Sequence, residues 1–373
     1  MRKYLDFLIL LAKYLLLPPL AILACIFVCL AAKTAWEKTL STKNQPAEDK
    51  TPTSRDNKTD GLLADERQKL LNAAGFDAKN SSDNPFIAGQ PVRYGHFFGR
   101  EEILHDLFNL WKGFPNMPIQ NAAIYGDRRI GKTSLLLHLK DMATIQSQDA
   151  RRREGQPVGD DWLPNSKHYC WIFVSFQDAE LRTQKRLLEY ILTNMKLEKA
   201  SGLDLSLSAD NPLLEFSQIV SHHLIKPTLI LLDEIEVALD RYQQEFDNAF
   251  WEGLRTLATI KLNPQCLGFV LSSQRPPIEL GQMLTDGKGS PFFNIFSLTV
   301  KLGSLTENEA KELIASSPKL FSEEEVQFIL EKSECKPYLL QLMCQIRLNY
   351  LIRGDTSVRW QTEAEQRLNQ IKK

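Results

Sequence analysis

The sequence predicts an α/β fold: a parallel sheet with helices on both faces, followed by a small all-helical lid and preceded by one N-terminal transmembrane helix. Five short apolar segments alternate with helical patterns, as parallel strands and their connecting helices do. A glycine-rich loop joins the first of these segments to a helix, and an uncharged apolar run of 19 residues stands near the N-terminus. The predicted strands lie near residues 121–125, 169–176, 228–233, 267–272 and 297–302.

Length and composition predict an intracellular globular protein with one additional apolar segment. The chain has 373 residues, of which 24% are charged, and its formal net charge is −1. This balance predicts no broad electrostatic attraction to nucleic acid or to acidic lipid. The six cysteines lack metal-ligand spacing, so we expect them to stay reduced. We divide the chain into a membrane anchor, a polar flexible tether, a core and a helical lid, at residues 1–33, 34–83, 84–302 and 303–373.

Residues 14–32 form the predicted membrane anchor. At about 1.5 Å per residue, a helix of this length covers roughly 28 Å, close to a hydrocarbon core of about 30 Å. Basic residues stand on both sides, so the positive-inside rule does not decide the orientation. A cleaved signal peptide is the main alternative, and Pro18-Pro19 also permits a re-entrant hairpin with both ends in the cytosol.

The glycine-rich loop carries a complete phosphate-binding pattern, G-x-x-x-x-G-K-T, between a strand and a helix. Its two glycines let the backbone curl so that N–H groups point at phosphates, helped by the positive end of the following helix. We therefore predict ATP and Mg²⁺ as ligands, with Lys132 neutralising phosphate oxygens and Thr133 holding the metal. The predicted phosphate-binding residues are Gly126, Asp127, Arg128, Arg129, Ile130, Gly131, Lys132, Thr133 and Ser134.

A later apolar strand ends in two adjacent carboxylates, Asp233 and Glu234. A parallel strand buried on both faces delivers its last residues to the carboxyl edge of the sheet, where ligands bind. We expect Asp233 to hold Mg²⁺ with Thr133, and Glu234 to activate the attacking water as general base. The predicted catalytic residues are therefore Glu234, Lys132 and Asp233.

The nucleotide site also predicts the orientation in the membrane. A site that uses ATP has to face the cytosol, so the short N-terminus is expected outside. The sequence thus predicts a single-pass protein of the cell membrane whose nucleotide domain lies in the cytoplasm.

Two further segments resemble a known ATPase family. Phe98-Gly99-Arg100-Glu101 stands before the glycine-rich loop, and Pro337-Tyr-Leu-Leu-Gln stands in the last part of the chain. Both are similar to motifs of the signal-transduction ATPases with numerous domains, the STAND class, and of their AAA-like, origin-recognition-like archaeal relatives. The resemblance covers roughly residues 84–353. It implies an additional-strand P-loop NTPase sheet, with strand order 5-1-4-3-2, and a four-helix lid.

The resemblance also implies contacts with the nucleotide base. Phe98, Gly99 and Arg100 would lie on its adenine or ribose side, and Pro337 would approach the base. Cys335 stands where the family usually has glycine, which leaves the geometry of the proline contact open.

A third implied contact lies at the end of the fourth strand. Ser273, Gln274 or Arg275 would sense the γ-phosphate there. Ordinary termination of a buried strand explains these polar residues equally well.

Three functions are consistent with these motifs. The favoured one is a membrane-anchored, slow ATPase that acts as a signalling or conflict-response switch, with a protein partner or effector encoded separately and nucleotide-dependent homo-oligomers as an option. A non-hydrolysing nucleotide-binding scaffold is the first alternative. A nucleic-acid remodelling ATPase is the second; short basic runs at Arg128-Arg129 and Arg151–Arg153 support it, and the net charge of −1 argues against it.

Overall fold

The computed structural model describes residues 84–93, 95–142, 163, 166–195, 197, 205–262, 264–284 and 290–372. The predicted anchor and tether, and the basic run Arg151–Arg153, lie outside these ranges. Within the described ranges, no helix combines the length and the apolar character that a membrane span requires.

Five strands of the described residues form one parallel sheet, in the order β2-β3-β4-β1-β5. This is the predicted order 5-1-4-3-2 seen from the opposite edge. The central strands β3 and β4 are buried along their whole length, as expected for a sheet covered on both faces. The strands are β1 Asn121–Tyr125, β2 Cys170–Ser175, β3 Thr228–Asp233, β4 Leu267–Ser273 and β5 Phe296–Lys301.

Helices cover both faces of the sheet. The helices of the described residues are α1 Glu101–Asn109, α2 Lys132–Met142, α3 Gln184–Asn194, α4 Pro212–His223, α5 Glu236–Arg241, α6 Asn248–Thr259, α7 Pro277–Met283, α8 Glu307–Ala315, α9 Glu323–Ser333, α10 Pro337–Ile352 and α11 Arg359–Lys372. Apolar residues of α1 and α2 form one buried cluster with the sheet, and those of α3, α4 and α6 form another. The predicted three-layer arrangement is therefore present.

The helices α8 to α11 form the lid and bury a third apolar cluster of their own. The first lid helix begins with a capping box, in which Thr306 and Glu309 satisfy each other's backbone N–H groups. The helix therefore starts at Glu307 with Thr306 as its N-cap. The division of the chain at residues 302 and 303 stays a prediction, because the described core and lid belong to one compact unit.

Residues 84–100, which we call the strap, begin on the lid. The Asn84 side-chain amide donates to the Gln345 carbonyl at 2.8 Å and to Asn349 Oδ1 at 2.9 Å. The Ile87 N–H donates to Gln341 Oε1 at 2.9 Å. All three lid residues belong to α10, so the strap is fastened along one face of that helix.

Further along, the strap contacts α2, the helix that follows the glycine-rich loop. Arg93 forms a bidentate pair with Asp141, with its Nε 2.7 Å from Oδ2. The ring of Phe97 stacks on His138 with ring centroids 4.1 Å apart. The strap therefore covers a side of α2 that faces away from the sheet, and α2 is buried on most of its surface.

Candidate active site

The glycine-rich loop lies between β1 and α2, as predicted. Gly126 is required by close packing, because a Cβ atom there would lie 2.4 Å from the Leu302 carbonyl oxygen. The Gly126 N–H donates to the Ser273 carbonyl at 3.1 Å, which joins the loop to the end of β4. Arg129 has a φ of 63°, in the left-handed region that costs a non-glycine residue about 1–2 kcal/mol. Strain of this kind is typical of binding loops.

Lys132 lies at the centre of the loop and is half-buried. Its Nζ donates to the carbonyls of Gly126 at 2.8 Å and Asp127 at 2.9 Å. Burial lowers the pKa of Lys132, and the nearest carboxylates oppose that shift. The side chain therefore folds back onto its own loop.

Thr133 and Asp233 meet beneath the loop. The Thr133 hydroxyl donates to Asp233 Oδ2 at 2.8 Å, and the Ser272 hydroxyl donates to Oδ1 at 2.6 Å. Asp233 is 2% exposed, and burial raises its pKa, although both hydrogen bonds counteract the shift. The residues fit Mg²⁺, which prefers carboxylate and hydroxyl oxygens, and a cation here would offset the cost of the buried charge.

Glu234 follows Asp233 and has a φ of 54°, a second left-handed non-glycine residue in the site. Its Oε2 accepts a hydrogen bond from Nε2 of Gln177, which follows β2. Ser175 pairs with Asp233 in the sheet. This register of β2 and β3 brings the side chains of Gln177 and Glu234 together. Burial and the neighbouring Asp233 raise the pKa of Glu234.

Gln177 is a site residue that the sequence analysis missed. The sequence does show a polar residue directly after an apolar strand. Its contact with Glu234 could not be predicted from this, because the contact depends on the pairing of β2 with β3. Ser272 was also missed, because it lies one residue before the expected sensor positions.

The three expected sensor residues occupy different places. Ser273 is fully buried, and its hydroxyl donates to the Arg275 carbonyl at 2.6 Å within the turn after β4. Gln274 lines the cavity described below, and its Oε1 accepts from Arg128 Nε at 3.2 Å. Arg275 lies outside the residues that line this cavity.

The Gly-Arg pair of the strap docks against the lid. The Arg100 N–H donates to Glu309 Oε1, and the guanidinium donates to the carbonyls of Gly303 and Ser304. A Cβ atom on Gly99, whose φ is 71°, would lie 2.5 Å from Glu309 Cδ. In the described structure, Gly99 and Arg100 thus hold the first lid helix in place.

A cavity of about 850 Å³ lies between core and lid, at the carboxyl edge of the sheet. The loop residues 128–134, Glu234, the strap residues 96–98 and the lid residues Pro337 and Tyr338 all line it. Phe98 and Pro337 therefore lie where a bound base would reach them, while Asp127 and Gly99 lie outside the lining.

The segment before Pro337 keeps the backbone shape that glycine favours. Cys335 has a φ of 52° and Glu334 a φ of 53°, so the cysteine adopts the left-handed conformation that we expected to need glycine. Helix α10 begins directly after this segment, at Pro337.

Comparison with known proteins bears on the fold. No protein-family model and no curated protein matches the chain. The Aeropyrum pernix ORC2 protein, solved in ADPNP–ADP complexes, is similar with a TM-score of 0.50 and 13% identity, over 76% of this chain and 70% of that chain.

Two other solved structures match less well. The Walker-type ATPase PABY2304 of Pyrococcus abyssi gives a TM-score of 0.48 with 16% identity, over 77% of this chain and 76% of that chain. Domain III of the Thermotoga maritima replication initiation protein DnaA gives a TM-score of 0.45 with 13% identity, over 76% of this chain and 98% of that chain. The likeness to ORC2, together with the sheet order and the glycine-rich loop, shows that the chain has a P-loop NTPase α/β fold.

Proposed function

We propose that this chain is an Mg²⁺-dependent ATPase that works as a slow, nucleotide-controlled switch. The observation that carries the proposal is the contact of Thr133, Asp233 and Ser272 beneath the phosphate loop, where Thr133 lines a cavity that the lid covers. Asp233 ends β3 and Ser272 lies at the end of β4, while Thr133 stands in the first turn of α2, which the phosphate loop joins to β1. The carboxyl ends of parallel strands are where ligands bind.

The proposed roles follow from these positions. Lys132 and the loop N–H groups bind the phosphates, and Thr133 and Asp233 hold Mg²⁺, which supplies charge neutralisation at the terminal phosphates when it is bound. Glu234 accepts the proton of the attacking water, and Gln177 holds its carboxylate in position. Phe98 and Pro337 contact the base.

A contact between loop and lid supports the switch. The Arg129 guanidinium carbon lies 4.6 Å from the centroid of the Tyr338 ring, at the start of α10. A phosphate bound at the loop competes for the Arg129 charge, so its arrival changes a contact that holds the lid. A partner protein then reads the lid position.

We further propose a STAND-type signalling or conflict-response role at the cell membrane. Residues 14–32 anchor the chain, the nucleotide domain faces the cytoplasm, and the effector is a separate protein. Nucleotide-dependent self-association is part of this proposal, since the lid state alters the exposed surface. Nucleic acid is left out because the net charge of −1 provides no broad electrostatic footprint; a salt-dependent DNA titration that showed binding would reverse this.

A non-hydrolysing scaffold is the second candidate, and one contact favours it. Gln177 occupies a carboxylate oxygen of Glu234, which a general base needs free for water. Steady-state phosphate release separates the two candidates, because a scaffold binds ATP without turnover.

Lys132→Ala tests the nucleotide site itself. The variant removes a charged donor worth about 1.5–3 kcal/mol, so the Kd for ATP should rise roughly 10- to 100-fold in calorimetry. Lys140→Ala, on the same helix, is the matched control and should bind as the wild type does. Wild-type affinity in Lys132→Ala, with an unchanged melting temperature in both variants, would overturn the site.

A further inference from the structure

Glu236 has no role in the site as described so far, although it stands two residues after Glu234. It is half-buried in the first turn of α5, and it lines the cavity. Its Oε1 accepts the backbone N–H of Gln274 and, at 3.4 Å, that of Arg275. One carboxylate oxygen therefore holds two consecutive N–H groups of the turn after β4.

That turn is also bound to the phosphate loop in two places. The Ser273 carbonyl accepts the Gly126 N–H at 3.1 Å, and Gln274 Oε1 accepts from Arg128 Nε at 3.2 Å. The Ser273 hydroxyl closes the turn on the Arg275 carbonyl at 2.6 Å. The ends of β3, β4 and β1 are thus connected in series, from Glu236 through Gln274 to Arg128.

We propose that Glu236 is a positioning residue that holds Gln274 against the phosphate loop, so that Gln274 and Arg128 distinguish ATP from ADP. The inference rests on the proposed function and deepens it. Of the three expected sensor residues, Ser273 and Gln274 both line the cavity and Arg275 lies outside the lining. The Ser273 hydroxyl is used inside the turn, whereas the Gln274 side chain is exposed and contacts the phosphate loop.

The physical reason is preorganisation. The Gln274 side chain is exposed, and an exposed side chain loses rotamer freedom when it has to contact a phosphate. Fixing the backbone of the turn in advance removes part of that cost, and a turn shifted by about 1 Å loses on the order of 10²-fold in rate. The hydrogen bonds of Glu236 go to this turn. Replacing Glu236 should therefore weaken the binding of ATP, which carries the terminal phosphate, and leave the binding of ADP unchanged.

A competing explanation is electrostatic. Burial lowers the pKa of Lys132, and among the carboxylates that oppose this shift Glu236 acts most strongly. If that charge were the role of Glu236, an uncharged glutamine could not replace it. If the role is to accept N–H groups, the glutamine Oε1 can do so, and Glu236→Gln should restore most of what Glu236→Ala loses.

The test compares Glu236→Ala, Glu236→Gln and Gln274→Ala in the full chain, with Mg²⁺ present. Calorimetry gives the Kd for ATP and for ADP, and phosphate release gives kcat and KM. We expect Glu236→Ala to lower the ATP-to-ADP affinity ratio about tenfold and kcat by 10- to 100-fold, with the ADP affinity unchanged. Glu252→Ala, an exposed glutamate of α6, serves as control and should leave all values unchanged.

Two further comparisons complete the test. Gln274→Ala should reproduce Glu236→Ala, and the double variant should be no worse than either, since both act through one contact. An ADP affinity that falls as far as the ATP affinity would make Glu236 merely structural and overturn the inference. If Glu236→Gln is as damaging as Glu236→Ala, the inference is overturned, because the negative charge of Glu236 would then be what the site requires. A wild-type chain that binds neither nucleotide would instead refute the proposed function.

Discussion

Glu234 is held in a conformation that non-glycine residues rarely adopt, and its carboxylate has one direct neighbour in Gln177. Glu234→Gln keeps the shape of the side chain but cannot accept a proton. We expect nucleotide binding to persist while hydrolysis falls about 10²- to 10⁴-fold, the range typical for loss of a general base. Single-turnover phosphate release measures this. An unchanged rate would favour the scaffold.

Gly99 has a different role in the structure from the one that the resemblance implied. The resemblance implied a base-side role, whereas the described contacts place Gly99 against Glu309, which also completes the capping box of the lid. The steric contact and the positive φ both oppose any side chain at this position.

Gly99→Ala should therefore destabilise the fold more than a positive φ alone does. Gly354→Ala is the matched control, since Gly354 has a φ of 78° and open space around it. We expect the free energy of unfolding to fall by about 1–2 kcal/mol in the control and by about 1–3 kcal/mol more in Gly99→Ala, because Glu309 must give up hydrogen bonds. Urea unfolding of both variants measures the difference. Equal costs would show that Glu309 simply moves aside.

Among the elements, the strap is the piece that links lid and core. Polar contacts bind its first residues to α10, Arg93 to α2 and Arg100 to the start of the lid, and residues between these contacts line the cavity. Releasing the lid end should therefore affect a ligand that the released residue does not touch.

Asn84→Ala tests this coupling, because Asn84 lies outside the cavity lining. Loss of its two hydrogen bonds to α10, at about 0.5–1.5 kcal/mol each, should raise the nucleotide dissociation rate roughly 5- to 100-fold. Stopped-flow release of a fluorescent ATP analogue reports the rate. Gln327→Ala, an exposed residue of α9, is the control. Identical rates in the two variants would mean that the strap does not gate the cavity.

At the scale of the whole molecule, the described core begins at residue 84, well after the predicted anchor. We expect that deleting residues 1–40 yields a soluble protein that still binds ATP. The full chain should pellet with membranes, resist carbonate extraction and carry a C-terminal tag that external protease cannot reach in intact cells. An accessible tag would refute the proposed orientation.

The order of the strands was implied by the resemblance to a known ATPase family. The sequence by itself determined the α/β class, the five strands and the phosphate loop. These follow from local signals: apolar runs, glycines required by close backbone packing, and carboxylates at a strand end. The helix start at Thr306 was equally local, since a capping box lies within four residues.

Tertiary structure decided which side chains meet. Gln177 reaches Glu234 because β2 pairs with β3, and Glu236 reaches the turn after β4 because β3 lies beside β4. Gly99 meets Glu309 because packing brings the first lid helix close to the strap, whereas Lys132 folds back onto carbonyls of its own loop. Sequence periodicity specifies which face of an element is buried, but only the assembled sheet, strap and lid specify what each polar group touches there.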